Sequence, residues 1–103
     1  MLKYFIVNEP EYTPDPVEIP VDGTLDLHTF RPKEIRELVP AYLQECRDRG
    51  ILTVRIVHGK GTGTLREIVH SVLKKIPFVL EFHLADETAG SWGATIVALR
   101  NRS

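Results

Sequence analysis

Ile51-Leu52-Thr53-Val54-Arg55-Ile56-Val57, followed at once by His58-Gly59-Lys60-Gly61-Thr62-Gly63 and then Thr64-Leu65-Arg66-Glu67, decides the fold. Residues 51–57 are apolar and β-branched, which predicts a strand ending at His58. The glycine run leaves backbone N–H groups unshielded. Thr64 with Glu67 three residues later has the pattern of a capping box, and Leu65, Ile68, Val69, Val72, Leu73 and Ile76 recur at helical spacing until Pro77. Strand, glycine turn and helix start in this order predict an anion-binding corner. The helix start carries unpaired donors and a partial positive charge, and Lys60 adds a full one.

Toward the N-terminus, residues 23–28 read as a short strand with Leu25 and Leu27 on one face and Asp26 and His28 on the other. Pro32 suits the first turn of a helix. Ile35, Leu38, Val39, Tyr42, Leu43 and Cys46 form its apolar face, and Gly50 is its stop. Pro40 interrupts this pattern; an interior proline removes a hydrogen bond, at about 3 kcal/mol, so a kink or local break is expected near Arg36 to Pro40. Toward the C-terminus, residues 78–85 and 93–100 read as strands around the polar loop Asp86 to Trp92.

The order is therefore βαβαββ, an α/β fold with a mixed four-stranded sheet. Two βαβ units imply parallel pairing of the first three strands, with the last two strands antiparallel; if both crossovers move the same way, both helices cover one face. Ligand crevices in open α/β sheets lie beyond the carboxyl ends of parallel strands, where His28 and His58 fall.

Residues 8–22 carry Pro10, Pro14, Pro16 and Pro20 among acidic side chains. They predict an extended N-terminal arm over residues 1–22, ahead of a globular domain at 23–103, without a regular ladder. Tyr4-Phe5-Ile6-Val7 is β-prone and suited to a sheet edge, in this molecule or a partner.

Composition bounds the function classes. At 103 residues the chain can build one core without metals or disulfides, and its single cysteine, Cys46, has no second thiol to pair with. No apolar run approaches the roughly 18 residues of a membrane span, and the N-terminus lacks a signal-peptide pattern, so a cytoplasmic location is the default expectation. The net charge of −1 hides an asymmetry: residues 1–26 carry −5 and the remainder +4. Arg55, Lys60, Arg66, Lys74 and Lys75 surround the glycine loop and its helix, which favours an anion there.

The candidate site arises from these placements. Gly59, Gly61, Thr62, Gly63, Lys60 and Arg66 are the phosphate-binding candidates. The spacing fits neither a Walker loop nor a G-x-G-x-x-G dinucleotide fingerprint; Glu81 lies where a ribose-binding acid would, but in mid-strand. Asp26 shares a strand face with His28 and can orient its imidazole. His28 and His58 together would allow one ring to take a proton from a nucleophile while the other protonates the leaving oxygen. No cofactor is assigned; Asp26 and His28 leave a divalent metal open as an alternative, although no third ligand has suggestive spacing. His70 and His83 read as structural, and Trp92 either stacks on a base or closes the end of the sheet.

Leu25-Asp26-Leu27-His28, His58-Gly59-Lys60-Gly61-Thr62-Gly63 and Gly90-Ser91-Trp92-Gly93-Ala94-Thr95, in this order and spacing, resemble the Smr (small MutS-related) domain over residues 23–100. The resemblance implies a two-layer α/β sandwich similar to the C-terminal domain of translation initiation factor three. A chain this short would be a stand-alone Smr protein. It also implies binding of DNA or RNA, often with endonuclease activity, and in several members a link to recombination control or to the ribosome. By position, Asp26 and His28 match the first family motif, and His58, Gly59, Lys60 and Gly61 the second. Two residues depart from the pattern: Thr29 stands where the family usually has Gly, and Arg31 where a capping Ser or Thr is usual. The expected function is a nucleic-acid-binding endonuclease. Its alternatives are a non-catalytic nucleic-acid or ribosome-binding module using the same loop, and an enzyme acting on a small phosphate compound.

Overall fold

The computed structural model describes residues 2–5, 16–59, 63–85 and 93–102. Among these residues six strands and two helices follow one another as β1 (Leu2–Phe5), β2 (Pro16–Ile19), β3 (Thr24–Asp26), α1 (Pro32–Asp48), β4 (Thr53–Val57), α2 (Thr64–Leu73), β5 (Val79–Leu84) and β6 (Ala94–Leu99). From β3 onward this is the expected βαβαββ order.

Helix α1 begins where Pro32 occupies the first turn and the Glu34 carboxylate accepts the Arg31 N–H at 2.8 Å. Arginine has no acceptor to complete a reciprocal box, so Glu34 and Pro32 carry this helix start in place of a Ser or Thr cap. At the other end, Gly50 N–H donates to Arg47 O and Ile51 N–H to Cys46 O, a Schellman closure. The local break expected at Pro40 does not occur, since α1 is continuous through it. Ile35, Leu38 and Val39 before the proline and Tyr42, Leu43 and Cys46 after it are all wholly buried. At roughly 1.5–3 kcal/mol for each large apolar side chain, their burial outweighs one missing backbone bond.

The main sheet has the order β3-β4-β6-β5. β3 pairs parallel with β4, and β6 pairs antiparallel with both β4 and β5. This corrects the expected parallel pairing of the first three strands: β6 is inserted between β4 and β5, which do not pair. The exchange suits the residues. β6 is almost wholly buried and uncharged, whereas β5 carries exposed Glu81 and His83 and belongs at an edge.

Leu25, Val54, Ile56, Val97 and Leu99 point into one core with the apolar faces of α1 and α2. The alternate residues Thr24, Asp26, Thr53, Arg55, Ile96, Ala98, Glu81 and His83 share the opposite face through the strand registers, and all are at least partly exposed. His83 thus stands on this outer face rather than in the core. No helix among the described residues is long and apolar enough to cross a membrane.

The N-terminal segment differs from a simple arm. β1 pairs antiparallel with β2, from Leu2 opposite Ile19 to Phe5 opposite Pro16, as a separate two-stranded sheet. Pro16 is tolerated because it stands at the first position of its strand. Ile19 is 7% exposed and joins the main core, so burial continues across the expected boundary at residue 22. Residues 6–15 lie outside the described residues.

Candidate functional site

β3 and β4 run parallel and end side by side, with Asp26 opposite Val57. The ladder continues one step, Leu27 N–H donating to Val57 O at 2.9 Å, and beyond it the two chains place their side chains in different surroundings. Asp26 and His28 stay in solvent, while Leu27 and His58 are buried.

Asp26 Oδ1 accepts both the His28 backbone N–H at 3.0 Å and a ring nitrogen, Nδ1, at 2.7 Å. The backbone bond first, and the ring bond second, hold the Asp26 carboxyl below its usual range. An ionised carboxylate only accepts, so His28 carries a proton on Nδ1 and presents Nε2 for chemistry. The His28 side chain is 72% exposed, which gives that nitrogen access to a large substrate.

His58 is 4% exposed, and both its ring nitrogens have partners within the protein. Nδ1 lies 3.0 Å from Gly59 O, and Nε2 lies 2.9 Å from Thr95 Oγ1, which in turn lies 2.8 Å from His70 Nε2. His70 packs against the Phe82 ring, with centroids 4.9 Å apart. Burial is the main cause that pushes both histidines below the ordinary imidazole value. Arg66 repels a proton on either, and His58 and Lys74 add to the effect on His70. His70, expected to be structural, therefore belongs to the same buried network as His58. Thr95, the last residue of the third motif, is the member that residue-by-residue reading overlooked; the signal was a hydroxyl on the inward register of an otherwise apolar strand. Among the described residues no hydrogen bond joins the Asp26–His28 pair to this network.

The turn after β4 is held by its backbone. The N–H groups of His58 and Gly59 both donate to Gly93 O, at 2.8 and 2.9 Å. The Gly59 N–H is thereby engaged within the protein instead of standing open to an anion. Gly59 adopts φ +84°, with no atom of the described residues within 4 Å of where a Cβ would stand. Gly59→Ala is therefore expected to cost only the left-handed backbone penalty of about 1–2 kcal/mol, measurable as a lowered urea midpoint.

Gly63, also at positive φ, caps α2 in place of the expected Thr64–Glu67 box, its carbonyl accepting the Glu67 N–H at 3.0 Å. Thr64 is the first helical residue, one position too late to be the cap. The Arg66 guanidinium folds over Gly63, 2.9 Å from the position of a Cβ. Lys60, Gly61, Thr62 and Trp92 lie outside the described residues. Among the described residues no group of three or more His, Cys, Asp or Glu side chains could hold a metal ion.

The lowered histidines predict a pH dependence of stability. As pH falls, the unfolded chain, titrating near the ordinary value of about 6.5, takes up protons before the folded one does. Stability should hold above that pH and decline below it, while Asp26, lowered from a carboxylate value, adds its own loss only under strongly acid conditions. Urea midpoints between pH 5 and 8 check this, with His70→Gln expected to flatten the slope; a slope of opposite sign would refute it.

A family model described as Smr domain matches residues 25–100. The chain belongs to the Smr domain family. This Smr domain resembles the crystal structure of the Smr domain of Thermus thermophilus MutS2 with a TM-score of 0.71 and 38% identity, covering 75% of this chain and 96% of that one. It also resembles YdaL, a stand-alone small MutS-related protein from Escherichia coli, with a TM-score of 0.68 and 31% identity over 80% of this chain and 67% of that one. The two-layer sandwich with a mixed four-stranded sheet is thus the Smr fold. Among curated proteins, endonuclease MutS2 of Halothermothrix orenii is 38% identical over 81 residues, 79% of this chain but 10% of its own length. The chain spans about a tenth of the length of such relatives.

Proposed function

We propose that this Smr domain binds nucleic acid and cleaves phosphodiester bonds in RNA or DNA, with His28 as the group that moves the proton. The observation that carries the reading is the Asp26–His28 pair: an exposed imidazole oriented by a carboxylate at 2.7 Å, at a strand end next to the glycine turn. His28 Nε2 takes the proton of the attacking hydroxyl or water as that oxygen bonds to phosphorus; Asp26 stabilises the resulting imidazolium, the P–O bond to the leaving oxygen breaks, and the proton passes to that oxygen directly or through solvent. Lys60, Arg66, Gly61, Thr62 and Gly63 supply cationic and N–H contacts to the phosphate, and Trp92 stacks on a base. His58 and Gly59 act behind them, holding the turn in place. The names of the MutS2 relatives support nuclease chemistry, and the +4 charge of residues 27–103 supports an anionic partner, which in a cytoplasmic protein includes the ribosome.

A second reading, binding without cleavage, is favoured by the burial of His58, which leaves one exposed imidazole where a two-histidine mechanism needs two. Incubation with end-labelled single-stranded, duplex and branched RNA and DNA, with and without EDTA or added divalent metal, separates the two. Cleavage products support the first reading, salt-sensitive binding without products the second, and absence of both refutes nucleic-acid function.

A further inference from the structure

The hydrogen bonds around His58 admit one arrangement of protons. The Gly59 carbonyl can only accept, so His58 Nδ1 must donate to it. In a neutral ring Nε2 is then bare and must accept, which requires Thr95 to donate its hydroxyl proton. The Thr95 oxygen is left to accept, and His70 Nε2 donates to it. Each link fixes the next, from helix α2 through strand β6 to the turn after β4. Thr95 is wholly buried, so no solvent competes for its hydroxyl.

We infer that Thr95 and His70 are positioning residues for the glycine turn: they hold the ring of His58, whose Nδ1–H tautomer the Gly59 carbonyl selects, and His58 in turn anchors that carbonyl. Gly59 is the hinge of this device. Its N–H is tied to Gly93 O on the β6 side and its carbonyl to the His58 ring, so both polar groups of one residue are held at the start of the glycine run. Anchoring removes conformations that Gly59 would otherwise lose on binding, which raises affinity without a contact to the ligand. The consequence for affinity rests on the proposed role of this turn in phosphodiester binding; the tautomer assignment does not.

Histidine-selective long-range ¹H–¹⁵N spectra test the assignment on the intact chain. At neutral pH His58 should carry its proton on Nδ1 and His70 on Nε2; the opposite tautomer at His58 overturns the inference. Thr95→Val keeps the shape and removes the hydroxyl. It should shift the Gly59 amide and His58 ring-nitrogen resonances and weaken binding of a fluorescent single-stranded RNA by about five- to tenfold, with Thr95→Ser restoring all three. His70→Phe, which keeps a ring against Phe82 but has no donor, should act in the same direction and serves if Thr95→Val does not fold. A folded Thr95→Val with wild-type Gly59 shifts and RNA affinity overturns the inference while leaving the proposed function intact. If the wild type binds no RNA or DNA, the proposed function falls, and the tautomers with the Gly59 shift and its rescue by serine still decide this inference.

Discussion

His28→Ala is expected to lower phosphodiester cleavage by about 10²–10⁴-fold, the range for loss of a general acid or base, while leaving nucleic-acid binding unchanged. The side chain is the exposed end of the Asp26 pair and carries no core packing, so the variant should also melt like the wild type. Asp26→Asn is the informative partner. An amide still accepts the His28 N–H but cannot stabilise an imidazolium, so cleavage should fall with binding and folding intact. Single-turnover rates on a labelled substrate, set beside binding isotherms for the same proteins, check both. Equal cleavage by wild type and His28→Ala would remove His28 from the chemistry.

Tyr42→Ala should have the largest effect on stability, about 3–5 kcal/mol, the range for emptying a large buried aromatic site. Tyr42 is wholly buried in α1, and its hydroxyl accepts the Gly23 N–H and donates to Thr24 O, both at 3.2 Å. Burial pushes the phenol up to about 12, so it remains a donor at any physiological pH. The residue ties helix α1 to the first residues of β3, and hence to the strand that presents Asp26. Since whole domains are stable by only about 5–15 kcal/mol, the alanine variant should unfold at modest urea. Tyr42→Phe, which keeps the ring and drops the two bonds, should lose about 1–2 kcal/mol. Urea denaturation of the three proteins measures the series, and an alanine variant no weaker than the phenylalanine one would refute the packing argument.

Much of this architecture is legible in the sequence, for identifiable reasons. α1 announces itself because Pro32, the apolar spacing from Ile35 to Cys46 and Gly50 agree with one another. The helix does not break at Pro40, because six buried neighbours hold it together against the local rule. Strand order is hidden, since alternation records which face a residue takes and not which strand lies beside it. The clue is compositional: Ala94-Thr95-Ile96-Val97-Ala98-Leu99 lacks any charge and belongs inside a sheet. In the site, Asp26 and His28 can be paired from their spacing of two. The His58–Thr95–His70 chain cannot, because it joins residues 37 and 25 positions apart through three elements.

The insertion of β6 between β4 and β5 has a consequence for how the chain is made. A ribosome delivers β3, α1, β4, α2 and β5 before the strand that must sit between two of them. Until residues 93–99 emerge, β5 has no neighbour to pair with, and the apolar faces of both helices lack half of their sheet. Gly93 and Thr95, which anchor the turn after β4, arrive in the same few residues. The nascent chain therefore completes its sheet and the anchoring of the turn after β4 in a single late step, so a stall before that point would leave an unpaired strand and an unanchored turn together.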